Sequence, residues 1–239
     1  MKLIPVLLGA QDWNNESWDE EFYPEDLPAD WQLAFYANEY GTVVIELADF
    51  RTPVEREVLG EQLIDCHAGF RPLLKIDMAD ATPREAGDFL GWLAQLDEDT
   101  GLDRLCGVWL GQADQCAVSW QELQPWRAAI DAQLPIAADL PLACTADQMQ
   151  RFAAEKISPV WRITGQGRAA HADPARNTSL AAWLALVETG LPARELAQQT
   201  RRFLEQEPPE NFVALVVLEE DINIKQLQDY ASLLRLITG

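Results

Sequence analysis

Residues 7–15, LLGAQDWNN, decide between two architectures. An apolar strand running into a turn opens any chain that alternates strands with helices. When that chain is an open, doubly wound sheet that binds a dinucleotide, the turn is glycine-rich, because only glycine lets the backbone approach a pyrophosphate. Here the turn holds Gly9 alone and gives way at once to Gln11, Asp12 and Trp13. The stretch points away from the dinucleotide sheet and toward a barrel, and no cofactor is expected.

Short apolar runs recur along the chain. Strands are expected at Leu3–Leu8, Thr42–Leu47, Pro72–Ile76, Leu105–Leu110, Pro135–Ala138, Pro159–Ile163 and Phe212–Leu218. Each is a continuous apolar run of the kind a parallel sheet buries on both faces. Between them lie helical patterns at 28–40, 82–101, 119–134, 145–156, 179–190, 193–207 and 223–237. The second opens on Thr82-Pro83-Arg84-Glu85, a capping pattern, and is expected to end at Gly101. Such alternation implies an α/β protein with a parallel sheet. Seven visible strands suit a TIM-barrel-like (β/α) barrel with one strand missing or irregular, and an open doubly wound sheet is the alternative. With 239 residues, 48% apolar and 24% charged, the chain is large enough for one sizeable core, so a single domain over 1–239 is expected.

The formal charge of −21 argues against a nucleic-acid polymer or an anionic membrane as partner, since either would approach a repelling surface. No segment approaches the roughly 20 apolar residues of a membrane span. The four cysteines, Cys66, Cys106, Cys116 and Cys144, are scattered, and only His67 and His171 could join them as ligands. No metal is expected, and reduced thiols fit a cytoplasmic protein. His67 is expected in the helix before the third strand and His171 in a loop, neither at a strand end.

The charge is uneven. From Arg162 to Arg202 six arginines stand against Asp173, Glu188 and Glu195, a local balance of +3, which leaves −24 on the rest of the chain. Within this island GQGR, residues 165–168, supplies Gly165 and Gly167 for close backbone approach to an anion and Arg168 for a bidentate contact. The whole segment 165–178 reads as an irregular loop, with Asn177-Thr178-Ser179 as a helix cap.

The loop after the first strand has the opposite character. Trp13, Trp18, Phe22 and Tyr23 stand there among Glu16, Asp19, Glu20, Glu21, Glu25, Asp26 and Asp30. Two readings remain open: the rings plug an apolar opening, or they form a pocket wall on which a flat ligand stacks. Exposed tryptophans also suit a dimer contact.

GAQDW (9–13) with Trp18, then FYPEDLP (22–28), LAFYANEYGTVVIE (33–46) and DFRTP (49–53), resembles the opening of the YecE-like family, domain-of-unknown-function family 72. Farther along, Lys75 falls on the family's lysine, Asp139 on its strand-end glutamate, and Arg162 and Gly165 on matching positions. Pro141 and Leu142 replace an arginine and a histidine, Thr164 a further histidine, and Leu218-Glu219 paired asparagines. The resemblance implies a TIM-barrel-like fold with a pocket at the C-terminal ends of the strands. It implies no reaction, and the lost histidines make the chain look like a divergent relative, for which binding without turnover is the favoured expectation.

In a parallel barrel, functional groups come from strand C-termini and the loops after them. That rule collects Trp13, Glu46, Lys75, Gln112, Asp139 and Arg162. Charges inside a barrel mouth must pair, because each unpaired buried charge costs several kcal/mol. A structural ion-pair network, a ligand site and a catalytic site with Glu46 and Asp139 as bases and Lys75 as amine all fit this set. The first expectation for function is a small anionic or phosphorylated ligand, nucleotides among the candidates, held by Trp13, Trp18, Tyr23, Glu46, Lys75, Arg162, Gly165, Gly167 and Arg168. The second is an interaction module whose acidic face docks a basic protein. The third is a metal-independent hydrolase or lyase.

Overall fold

The computed structural model describes residues 5–15, 18, 21–96, 105–111, 117–141, 144–164, 181–188, 190–206, 210, 212–218 and 223–238. Eight parallel strands close into a barrel in sequence order: β1 (Val6–Ala10), β2 (Thr42–Glu46), β3 (Leu73–Asp77), β4 (Gly107–Gly111), β5 (Ile136–Ala138), β6 (Ile157–Ile163), β7 (Leu184–Glu188) and β8 (Val213–Leu218). The sheet closes where β1 pairs with β8 over five residues, Val6 opposite Val213 through Ala10 opposite Val217. Helices α1 (Gln32–Glu39), α2 (Pro53–Ile64), α3 (Pro83–Leu93), α4 (Trp120–Ala129), α5 (Ala146–Ala154), α6 (Ala193–Leu204) and α7 (Ile224–Thr238) follow the strands in turn, except that among the described residues no helix lies between β6 and β7. No helix among the described residues is long and apolar enough to cross a membrane.

The eighth strand lies inside the segment expected to be helical. Leu184–Glu188 is strand β7, paired with β6 through Leu186 opposite Arg162 and with β8 through Leu186 opposite Val216. Its sequence, LALVE, is rich in helix-forming Leu and Ala and holds only one β-branched residue, so local propensity favours the wrong element. Burial decides otherwise: Leu184, Ala185, Leu186 and Val187 are all buried, on both faces of the sheet. The proposed cap at Asn177-Thr178-Ser179 lies outside the described residues.

Two further expectations shift. The helix from Thr82 ends at Leu93 rather than reaching Gly101. His67 lies beyond the last residue of α2, where its Nε2 donates to the Ala37 carbonyl (2.7 Å) while Nδ1 accepts from the Gly69 N–H (3.0 Å). It ties the turn before β3 to α1 and has no place at the barrel mouth.

Four helices begin on the C-terminal side of the barrel with a capping box. Thr52 with Glu55, Thr82 with Glu85, Ser119 with Glu122 and Thr145 with Gln148 each satisfy two backbone N–H groups reciprocally. These caps fix the ends of the loops that follow β2, β3, β4 and β5. At the opposite end Arg127, buried, gives its guanidinium to the carbonyls of Leu134 (2.9 Å), Ile130 (2.8 Å) and Asp131. It satisfies the last turn of α4 and the approach to β5, and burial lowers its pKa.

The junction of β1 and β2 is the shortest pairing in the barrel, Gly9 opposite Thr42 and Ala10 opposite Val43. Tyr36 on α1 reinforces it from outside: its hydroxyl accepts from the Ala10 N–H (2.8 Å) and donates to the Thr42 carbonyl (3.0 Å). A Cβ at Gly9 would stand 1.8 Å from the Thr42 oxygen, so the strands approach this closely only because the residue is glycine. Gly9→Ala is therefore expected to destabilise the barrel by about 1–3 kcal/mol through overpacking, read as a lower urea midpoint with an unchanged slope.

Candidate functional site

Period-two alternation in each strand divides barrel interior from helix layer. Leu7, Val44, Leu73, Trp109, Ala137, Val160, Leu186, Ala214 and Val216 form the inner core, separate from the cluster between sheet and helices. Continuing the same parity toward the strand C-termini brings Glu46, Lys75, Asp139 and Arg162 to the mouth, as the resemblance and the barrel rule both anticipate.

These four residues form two pairs. Lys75 Nζ donates to Glu46 Oε1 at 2.6 Å, both residues partly exposed, and Gln11 Nε2 donates to the same oxygen at 3.1 Å. The Lys75 ammonium also lies 5.3 Å from the centroid of the Trp109 ring. Arg162 and Asp139 are more deeply placed, 8% and 6% exposed, and meet side-on: Nη2 to Oδ2 at 2.7 Å and Nε to Oδ1 at 3.2 Å. Each carboxylate already neutralises a cation. The proposed base pair of Glu46 and Asp139 is thus two separate ion pairs, and Lys75 is an ion-pair donor rather than an isolated amine.

The N-terminal aromatics divide. Trp18 is fully buried, stacked on Tyr36 with ring centroids 6.0 Å apart and planes 8° apart. Tyr23 is buried too, edge-on to Phe22 at 4.8 Å and packed on Phe35, and its hydroxyl donates to the Trp13 carbonyl at 2.5 Å. Trp18, Phe22 and Tyr23 therefore plug the space between the first loop and α1 instead of facing a ligand. Trp13 alone of the four lines a cleft. Its backbone is held from two sides, by Tyr23 and by the Asp12 carboxylate, which accepts the N–H groups of Trp13 (2.6 Å) and Asn14 (3.0 Å).

That cleft has a volume of about 540 Å³. It runs from Trp13 and Phe50 to Glu46, with Asp12, Asp30 and Asp49 along its walls. Partial burial first, then the carboxylates of Glu46 and Asp12, push the Asp49 carboxyl above its ordinary value of 3.8, with Lys75 opposing. A carboxyl raised on folding costs stability wherever it is ionised and nothing once both states are protonated. Asp49→Asn is therefore expected to raise the melting temperature at pH 7, with the gain closing as pH falls through Asp49's raised pKa toward 3.8. Melting curves of both proteins across that window check the sign.

Gln112, Gly165, Gly167, Arg168 and His171 lie outside the described residues, as do Cys116 and Glu219. Cys66 and Cys106 are buried, and burial pushes the Cys106 thiol up to about 12, which leaves it inert. Among the described residues no group of three or more His, Cys, Asp or Glu side chains is arranged to hold a metal.

No known family's sequence profile and no curated protein matches the chain. Solved structures do. A DUF72 family protein from Thermotoga maritima superposes with a TM-score of 0.62 at 12% identity, covering 96% of this chain and 99% of that one. A D-psicose 3-epimerase, in the presence of D-fructose, superposes with a TM-score of 0.50 at 9% identity, covering 98% and 100%. At such identities the likeness is one of fold. The family resemblance read from residues 9–53 agrees with it, and the chain has the closed eight-stranded barrel of these proteins.

Proposed function

We infer that the chain is a divergent relative of the YecE-like family and that the C-terminal mouth of its barrel binds a small ligand with an anionic end. Phosphorylated metabolites and nucleotides are the first candidates. The observation that carries this reading is the cleft that leads from Trp13 to Glu46, the carboxylate that Lys75 pairs with. Its volume of about 540 Å³ falls within the range of small-molecule sites, and one of its walls is a tryptophan on a braced backbone.

The charges refine the ligand class. Asp12, Asp30, Glu46 and Asp49 line the cleft, so a polyanion would be repelled there. A ligand whose oxyanion reaches Lys75 while its neutral or cationic body lies along Trp13 satisfies both ends. The contribution expected of Arg162 is smaller than its charge suggests, because Asp139 already occupies its guanidinium. Gly165, Gly167 and Arg168 complete the anion reading only from sequence. Hydrolysis or lysis by Glu46, Lys75 and Asp139 has less support, since each carboxylate is committed to a cation.

One observation favours a second reading. Trp31 is 58% exposed and Val58 48%, next to the acidic cleft, a surface that suits a basic protein segment. A thermal-shift screen against phosphorylated metabolites, carboxylates, nucleotides and basic peptides separates the two. At about 100 times its dissociation constant, a ligand should stabilise the fold by roughly 2.7 kcal/mol. Shifts with small oxyanions that vanish in Lys75→Met support the mouth site. Shifts with basic peptides alone, abolished by Trp31→Ala and untouched by Lys75→Met, move the function to the surface.

A further inference from the structure

Trp109 is 6% exposed, and its indole Nε1–H has no hydrogen-bond partner among the described residues. An unsatisfied buried donor is uncommon enough in a folded protein to require a reason. Its position supplies one. Trp109 is an inward-facing residue of β4, directly opposite Lys75 on β3 and Ala137 on β5. The nitrogen edge of the ring is turned toward the C-terminal end of the strand: a Cβ built on Gly111, two residues farther along and on the same face, would stand 3.8 Å from both Cε2 and Nε1. Glycine leaves that stretch of the inner wall without a side chain. Above the ring sits the Lys75 ammonium, which has three N–H donors and, among the described residues, a single hydrogen-bond acceptor, Glu46 Oε1. Donors in excess of acceptors therefore meet at one place beneath the mouth.

We propose that Trp109 is a ligand-binding residue: its indole N–H, together with the free donors of Lys75, seats the oxyanion of the ligand, a carboxylate or phosphate oxygen, beside Gly111. This rests on the mouth being a ligand site and adds the group that anchors the ligand's anionic end. Lys75 is the group over the indole that can yield, being partly exposed on a flexible stem, so it swings to share the oxygen as the ligand arrives. The second unpartnered indole, Trp183, has a different position. It is fully buried where Gly107 and Phe212 pack against it, below this layer.

Nitrogen-15 labelling of the tryptophan indoles gives nine N–H resonances, which can be followed during titration with inorganic phosphate and with O-phosphoethanolamine, a phosphate on a cationic body. The Trp109 resonance is assigned by Trp109→Phe or through its cross-peaks to the Lys75 side chain. It should move downfield saturably, and Trp109→Phe, which keeps an aromatic ring and removes the donor, should weaken binding about tenfold or more. If the Trp13 resonance moves while Trp109 stays in place, the mouth binds ligand without this donor and the proposal is overturned alone. A persistent cross-peak from Trp109 N–H to bound water throughout the titration also overturns it. If neither resonance moves with either probe and no oxyanion shifts the melting temperature, the mouth reading falls with it.

Discussion

Replacing Arg162 with methionine should lower the unfolding free energy by about 3–5 kcal/mol, because it strands the Asp139 carboxylate in the barrel interior. Both residues are more than nine-tenths buried, and the guanidinium meets the carboxylate with two nitrogens at 2.7 and 3.2 Å. The loss comes from leaving one charge uncompensated, and it does not measure what the intact pair contributes. The double variant Arg162→Met, Asp139→Leu removes both charges and should recover most of the stability, since an apolar replacement of a buried pair is often neutral or better. Urea unfolding of the two single variants and the double variant gives the coupling directly. A loss below about 1 kcal/mol for Arg162→Met, the range of exposed pairs, would mean that solvent reaches the pair.

Trp18→Ala should be about as costly, roughly 3–5 kcal/mol, the range for emptying a fully buried aromatic site. Trp18 stacks on Tyr36, whose hydroxyl joins the ends of β1 and β2, so the cavity would open beside the shortest pairing in the barrel. Trp13→Ala should cost little stability by comparison and should act on ligand affinity. Melting temperatures of the two variants, measured beside their ligand-induced shifts, separate plug from wall. Equal destabilisation by both would return Trp13 to the core and remove the cleft's aromatic side.

This contrast shows how the sequence divides into what can be read and what cannot. Seven strands were legible because each is a continuous apolar run between polar segments, as burial on both faces requires. The eighth, Leu184–Glu188, is equally apolar, but its Leu and Ala residues favour a helix in isolation. Only closure of the barrel between β6 and β8 makes it a strand. The mouth residues Glu46, Lys75, Asp139 and Arg162 were legible from strand parity and from the resemblance. That these charges pair was legible too, but which partner each takes was not, because it depends on the register between neighbouring strands and on side-chain conformation. Trp13, Trp18, Phe22 and Tyr23 look alike in a list of aromatics, and the helix α1 against which three of them pack decides their roles. Trp109 carried a faint signal, sharing the inward parity of Gly111 in an apolar strand. A tryptophan in such a run reads as core until its nitrogen is found without an acceptor.

Hydrogen–deuterium exchange with and without the panel member that gives the largest thermal shift tests most directly whether the C-terminal mouth is the binding site. Protection is predicted at residues 9–15, 44–50, 73–77 and 107–111, where the first four strands end and the cleft begins. Protection confined to the N-terminal turns of the barrel or to the outer faces of the helices, with these four segments unchanged, would contradict it.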